Sequence, residues 1–233
     1  MAVKGLVLYD GPSLLDGVPI IVIATLNSVN RKTGNVIQTW ILLKDVPPNE
    51  AVQTGRDSSI CGKCPHRHFT GGGCYVLPFQ APLNVYKEYH LGKYPKMAPK
   101  YISKVINRDV RLGSYGDPAA VPYVVWLGLV SLSNSHTGFT HQMDHPCFDR
   151  NILKLCQASV DTPAQYKKYA KHGTFRVKTK HAPLLEGEVL CRNITENLMC
   201  SQCGLCDGKS KNHVAINVHG RGSTKFERKF SNA

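Results

Sequence analysis

Residues 110–132 read VRLGSYGDPAAVPYVVWLGLVSL. Val110 to Gly113 predicts a short strand. Asp117-Pro118 then offers a capping oxygen followed by a ring whose fixed φ suits the first helical position. Val121 to Leu132 is apolar enough for a helix laid on a sheet. The pattern recurs at residues 155–178, LCQASVDTPAQYKKYAKHGTFRVK. Leu155 to Val160 predicts a strand, Thr162-Pro163 a second cap, and Ala164 to Lys171 a helix stopped by Gly173. Thr174 to Lys178 predicts another strand. A parallel return needs a crossover long enough to hold a helix, so strands that alternate with helices imply parallel pairing. The expected fold class is therefore α/β, as a partial (β/α) barrel or an open parallel sheet.

Outward from this centre the signals are simpler. Leu6 to Tyr9 and Val18 to Leu26 are apolar runs rich in branched residues, as strands are. Lys32-Thr33-Gly34-Asn35 reads as a turn and Val36 to Leu43 as the returning strand, giving an N-terminal β-hairpin that Pro47-Pro48 ends. Ala81 to Leu91 has helical spacing. Gly138 to His141 and Val214 to Val218 read as further strands. Residues 1–220 are expected to form one α/β domain, and 221–233 a basic flexible tail.

Two cysteine-rich loops, at 55–75 and 191–208, interrupt this pattern. The first contains CGKCPHRHFTGGGCY from Cys61 to Tyr75, with thiols at Cys61, Cys64 and Cys74. The second contains CRNITENLMCSQCGLC, with thiols at Cys191, Cys200, Cys203 and Cys206. Thiolates three residues apart on a tight turn can point at one centre, so both loops are read as metal-binding. A disulfide framework is the weaker reading: the chain has 233 residues, nine cysteines is an odd count, and no signal-peptide pattern opens the sequence. The run C-x2-C-x2-C is more typical of a 4Fe–4S cluster than of a zinc ribbon. Three thiolates at the first loop would leave one iron open. Zinc is the alternative metal, with His66 or His68 as a fourth ligand there.

Lys and Arg number 29 against 16 Asp and Glu, a formal charge of +13. That balance favours a polyanionic partner, nucleic acid or a nucleotide-like substrate. No apolar run is long enough to span a bilayer, so no membrane partner is expected. In parallel α/β folds ligands bind at the carboxyl ends of strands. The segments there are Arg111 to Asp117, Thr137 to Gln142 and Ser159 to Thr162. Arg111, His141, Gln142, Asp161 and Arg176 would together make a polar mouth, and Arg111 stands out because a charge within a parallel strand is costly unless paired. Asp117 is read first as a helix cap. Cys147 and Cys156 lack spaced partners and are read as ordinary thiols.

In this order, the motifs C-x2-C-P…G-C-Y-V, R-L-G-S-Y-G-D-P-A-A-V-P, H-T-G-F-T-H-Q, A-S-V-D-T…G-T-F-R-V and C-S-Q-C-G-L-C-D-G resemble a family of small bacteriophage cysteine-rich proteins of unknown function. The resemblance covers roughly residues 27–220 and implies a place in the cytoplasm of the infected host cell. More distantly, the arrangement is similar to radical-SAM iron–sulfur enzymes. That similarity implies that Cys61, Cys64 and Cys74 hold a 4Fe–4S cluster that binds S-adenosylmethionine, with Tyr75 as the neighbouring aromatic. Cys191, Cys200, Cys203 and Cys206 would hold an auxiliary cluster. The spacing here, C-x2-C-x9-C, differs from the usual C-x3-C-x2-C, and Tyr75 follows the last cysteine rather than preceding it. Two functions are therefore expected. One is an iron–sulfur enzyme in which Arg111, His141 and Asp161 serve the chemistry and Tyr75, Ser114, Tyr115 and Gln142 hold the cofactor or ligand. The other is a zinc-stabilised basic nucleic-acid-binding protein without catalytic activity.

Overall fold

The computed structural model describes residues 3–220 and 222–230. Nine strands form one sheet in the order β1-β2-β3-β4-β5-β6-β7-β9-β8. Strands β1 (Gly5–Pro12), β2 (Pro19–Thr25) and β3 (Ile37–Leu43) pair antiparallel in that order. Ile20, Ile21, Val22 and Ile23 are all fully buried, so β2 is covered on both faces, which its unbroken apolar run requires. Pro12 and Pro19 sit at strand ends, where a missing N–H costs least.

From β3 onward the pairing is parallel. The remaining strands are β4 (Val110–Tyr115), β5 (His136–Thr140), β6 (Gln157–Ser159), β7 (Thr174–Lys178), β8 (Glu188–Leu190) and β9 (His213–Asn217). The helices are α1 (Pro48–Thr54), α2 (Ser58–Cys61), α3 (Ala81–His90), α4 (Tyr123–Leu132), α5 (Pro163–Tyr169), α6 (Arg192–Thr195), α7 (Cys200–Cys203) and α8 (Ser223–Phe230). The fold is thus α/β, a mostly parallel sheet with an antiparallel N-terminal hairpin. Among the described residues no pairing joins β1 to β8, so the sheet is open.

Three details differ from expectation, each for a physical reason. Asp117 caps a short 3-10 turn, Pro118–Ala120, and its side chain accepts from the Ala119 N–H. Pro122 then forces Val121 into extended backbone, φ −121° and ψ 141°, so the apolar helix begins only at Tyr123. Trp126 of that helix is fully buried and donates its indole N–H to the Pro118 carbonyl at 2.8 Å. Second, both cysteine loops contain helical turns, α2 in the first and α6 and α7 in the second. The first is held by Arg67, whose guanidinium forks onto Asp57 and also donates to the Gly55 and Gly62 carbonyls.

Third, the expected flexible tail contains α8. Phe226 and Phe230 lie four residues apart on one helix face, and Phe226 is 2 % exposed. Its ring stacks on His66 at 5.4 Å between centroids. Residues 221 and 231–233 of that segment lie outside the described residues. Phe226→Ala is expected to cost about 3 kcal/mol. Urea unfolding would read this as a lower midpoint, and proteolysis as early cleavage within residues 222–230.

Candidate functional site

Side chains alternate between the two faces of a strand. On β4 and β5, Leu112 faces the core while Arg111, Thr137 and Phe139 line a cavity of about 400 Å3 on the other face; Tyr115, at the end of β4, belongs to both the core and the cavity wall. The seven predicted metal ligands lie in two segments, 55–75 and 191–208, with most of the β/α region between them, yet all seven cysteines line this one cavity.

The first set stands at the carboxyl ends of β4 and β5. The Asp117 N–H donates to the Ile60 carbonyl at 2.7 Å, and the Gln142 amide donates to the Cys61 carbonyl at 2.8 Å. Gln142 Oε1 in turn accepts from the Lys63 N–H at 3.1 Å. Gln142, expected to hold a ligand, instead spends its amide on the loop backbone and is not among the residues that line the cavity. Gly62 has φ +52°, and a Cβ there would collide with the Gln142 amide. Asp117 is the hub of the brace. Its carboxylate accepts from Thr140 Oγ1 and the His141 N–H, each at 2.7 Å, besides Ala119.

The second set runs across the sheet, from the carboxyl end of β8 to the turn that precedes β3. Cys191 directly follows β8. The Cys200 N–H donates to the Lys32 carbonyl at 3.0 Å, in the turn that precedes β3. The Cys206 carbonyl accepts from the Gly138 N–H at 3.3 Å, on β5.

All nine cysteines are free thiols. Burial and the neighbouring thiols hold Cys61 and Cys206 well above the ordinary thiol range, and burial takes Cys74 to about 12. Cys61, Cys74 and Cys206 therefore keep their protons in the unliganded chain, and a coordinated metal would displace them. Among the described residues no three cysteine sulfurs lie all within 4.8 Å of one another. Cys156 is buried and Cys147 exposed, both away from the cavity.

Arg111 stands between the sets. It donates to Tyr75 Oη and lies 5.6 Å from the Phe139 ring centroid. Burial would lower its pKa, but the Tyr75 hydroxyl and the Cys200, Cys206 and Cys191 thiols raise it. Tyr75 also stacks on His219 at 5.7 Å. Ser114 lines the wall and donates to Gln38 Oε1. The Tyr115 hydroxyl and Thr137 Oγ1 are buried on the same wall without a hydrogen-bond partner. Arg176, expected at the mouth, instead forks onto Glu188 at 2.8 and 2.6 Å outside the cavity lining.

His141 and Asp161 do come together, at the carboxyl ends of β5 and β6, and His66 of the first loop joins them. His66 Nε2 lies 2.8 Å from Asp161 Oδ1, and His141 Nε2 lies 3.8 Å from the same oxygen. Burial pushes the His141 pKa down, but the Cys64 thiol and Asp161 lift it well above the usual range. Burial pushes Asp161 up, and the two imidazoles outweigh it, holding the carboxyl below its ordinary value. His68, the other histidine of that loop, faces the Val76 carbonyl at 2.8 Å. The Gln142 brace and the approach of His66 to Asp161 are invisible to motif spacing, because each joins segments distant in sequence. Set against known protein families, curated proteins and solved structures, the chain matches none of them.

Proposed function

We propose that the chain is an iron–sulfur protein of radical-SAM-like type, with 4Fe–4S clusters on both thiol sets and a nucleotide-like ligand between them. The observation that carries this reading is the meeting of seven free thiols from two distant loops around one cavity. Their spread supports clusters over single zinc ions. Bonds of about 2.3 Å at tetrahedral angles would bring zinc-bound sulfurs to about 3.8 Å from one another. A cluster places a different iron under each thiolate and so suits wider separations.

Cys61, Cys64 and Cys74 would hold the first cluster, and Cys191, Cys200, Cys203 and Cys206 the second. With three protein thiolates, the first cluster supplies an open iron for a ligand and a source of single electrons. A volume of about 400 Å3 falls within the range of small-ligand sites. Arg111 offers a fixed cation to an anionic group there. Phe139 and Phe175, with rings 4.2 Å apart, form an apolar wall that excludes water. The Tyr115 and Thr137 hydroxyls, buried without partners, are available to hydrogen-bond the ligand.

Single-set variants test this reading. Anaerobically purified wild type is expected to carry about eight irons per chain, four for each cluster. Cys64→Ala and Cys203→Ala are each expected to retain about four. Stoichiometric zinc without iron would sink the proposal. That result would favour a zinc-stabilised protein whose +13 charge serves nucleic-acid binding.

A further inference from the structure

A second kind of site lies against the first thiol set. His66, His141 and Asp161 come from three different segments: the first cysteine loop, the end of β5 and the end of β6. Their ligand atoms all lie within 4.8 Å of one another. The His66 and Asp161 side chains are 9 % and 10 % exposed, and His141 is 18 % exposed. Buried polar groups almost always find hydrogen-bond partners. Here both ring nitrogens of His66 and Oδ1 of Asp161 have none. His66 Nε2 and Asp161 Oδ1 are 2.8 Å apart, yet they meet outside hydrogen-bond geometry. Donor atoms that converge without bonding each other are placed as they would be around a shared cation.

We propose that His66, His141 and Asp161 form a site for one first-row divalent metal ion, with its open coordination positions facing the cavity. Metal bonds of about 2.1 Å set at 90° to 109° place neighbouring ligand atoms about 3.0 to 3.4 Å apart. The observed 2.8 Å and 3.8 Å to Asp161 Oδ1 lie on either side of that range, so small shifts of the two imidazoles would fit both to one ion. Two imidazoles and one carboxylate suit iron(II), manganese(II), cobalt(II) or zinc(II), and such a set leaves positions for water or an anionic oxygen. His66 and His141 both line the cavity, so those positions open onto the same space as the thiols. Phe226 and Phe230 cover the far side of His66, with centroids 5.4 and 5.8 Å from its ring, and keep bulk water away. The stack on Phe226 restrains the plane of the His66 ring. The site needs no cluster in either thiol set; it requires only that His66 serve Asp161 and not complete a zinc site on the first set.

The test uses the anaerobically purified full chain, freed of exchangeable ions by brief chelator treatment, and manganese(II) alone as the probe. Manganese(II) prefers nitrogen and oxygen donors to thiolates. Loss of the free-ion electron paramagnetic signal should show one ion bound per chain. Spin-echo modulation of the bound ion should show coupling to two imidazole nitrogens. Asp161→Asn and His141→Gln should each weaken binding at least tenfold, and Cys203→Ala should leave it unchanged. Absence of binding by wild type, or bound manganese without imidazole coupling, would overturn the site even where a variant fails to fold. Equal affinity in wild type and a folded Asp161→Asn variant would do the same.

Discussion

Asp117→Ala is expected to lower stability by on the order of 4 kcal/mol, because it strands several buried donors at once and each costs about 1–3 kcal/mol. The Ala119 and His141 N–H groups and the Thr140 hydroxyl would all lose their acceptor. The effect should reach the thiols. Asp117 anchors the strand ends to which Ile60 and, through Gln142, Cys61 are tied. On the proposed cluster assignment, the variant should also lose iron from the first set in preference to the second. Urea denaturation and iron analysis of the folded fraction would check both parts. An unchanged unfolding midpoint would mean that the brace is dispensable.

A second large effect is expected where no metal is involved. Glu188 and Arg176 form a buried pair whose side chains are 0 % and 9 % exposed, and Glu188 also accepts from the Leu185 N–H at 2.8 Å. Glu188→Ala leaves a guanidinium buried without its counter-charge, which costs about 3–5 kcal/mol. The pair also fixes a pH dependence. Burial pushes the Glu188 carboxyl up, but Arg176 and the Leu185 N–H outweigh it and hold the carboxyl below its ordinary value. A carboxyl depressed in the folded state stabilises the fold fully above its unfolded pKa, about 4.3 for glutamate, and loses that contribution as pH falls through the folded value. Wild type should therefore lose stability below about pH 4 more steeply than Glu188→Gln. Unfolding midpoints at several acid pH values would show this. Iron per folded chain should stay the same in both Glu188 variants, since the pair lies outside the cavity.

Much of the architecture was legible because its signals are local. A strand followed by Asp117-Pro118 or Thr162-Pro163 announces its own turn, whatever surrounds it. The antiparallel hairpin was legible for the same reason, from the turn at Lys32 to Asn35. Residues that work across distance were read less well. Gln142 looked like a ligand-orienting group because it follows a strand, yet it faces the loop beneath. Arg176 looked like part of the mouth, but Glu188, outside any motif, claims it. The basic composition of 222–230 concealed a helix whose anchor is a pair of phenylalanines. His66 was considered only as a zinc ligand beside the cysteines, and its approach to Asp161 depends on how the first loop folds over β6. Nothing in the spacing of either cysteine loop indicated that the second crosses the sheet to the turn before β3.

The most direct measurement is a visible spectrum and a metal analysis on one anaerobically purified sample of the wild-type chain. The account predicts a brown protein with broad thiolate-to-iron absorption and about eight irons per chain, bleached by oxidation. A colourless protein holding zinc and no iron would contradict it.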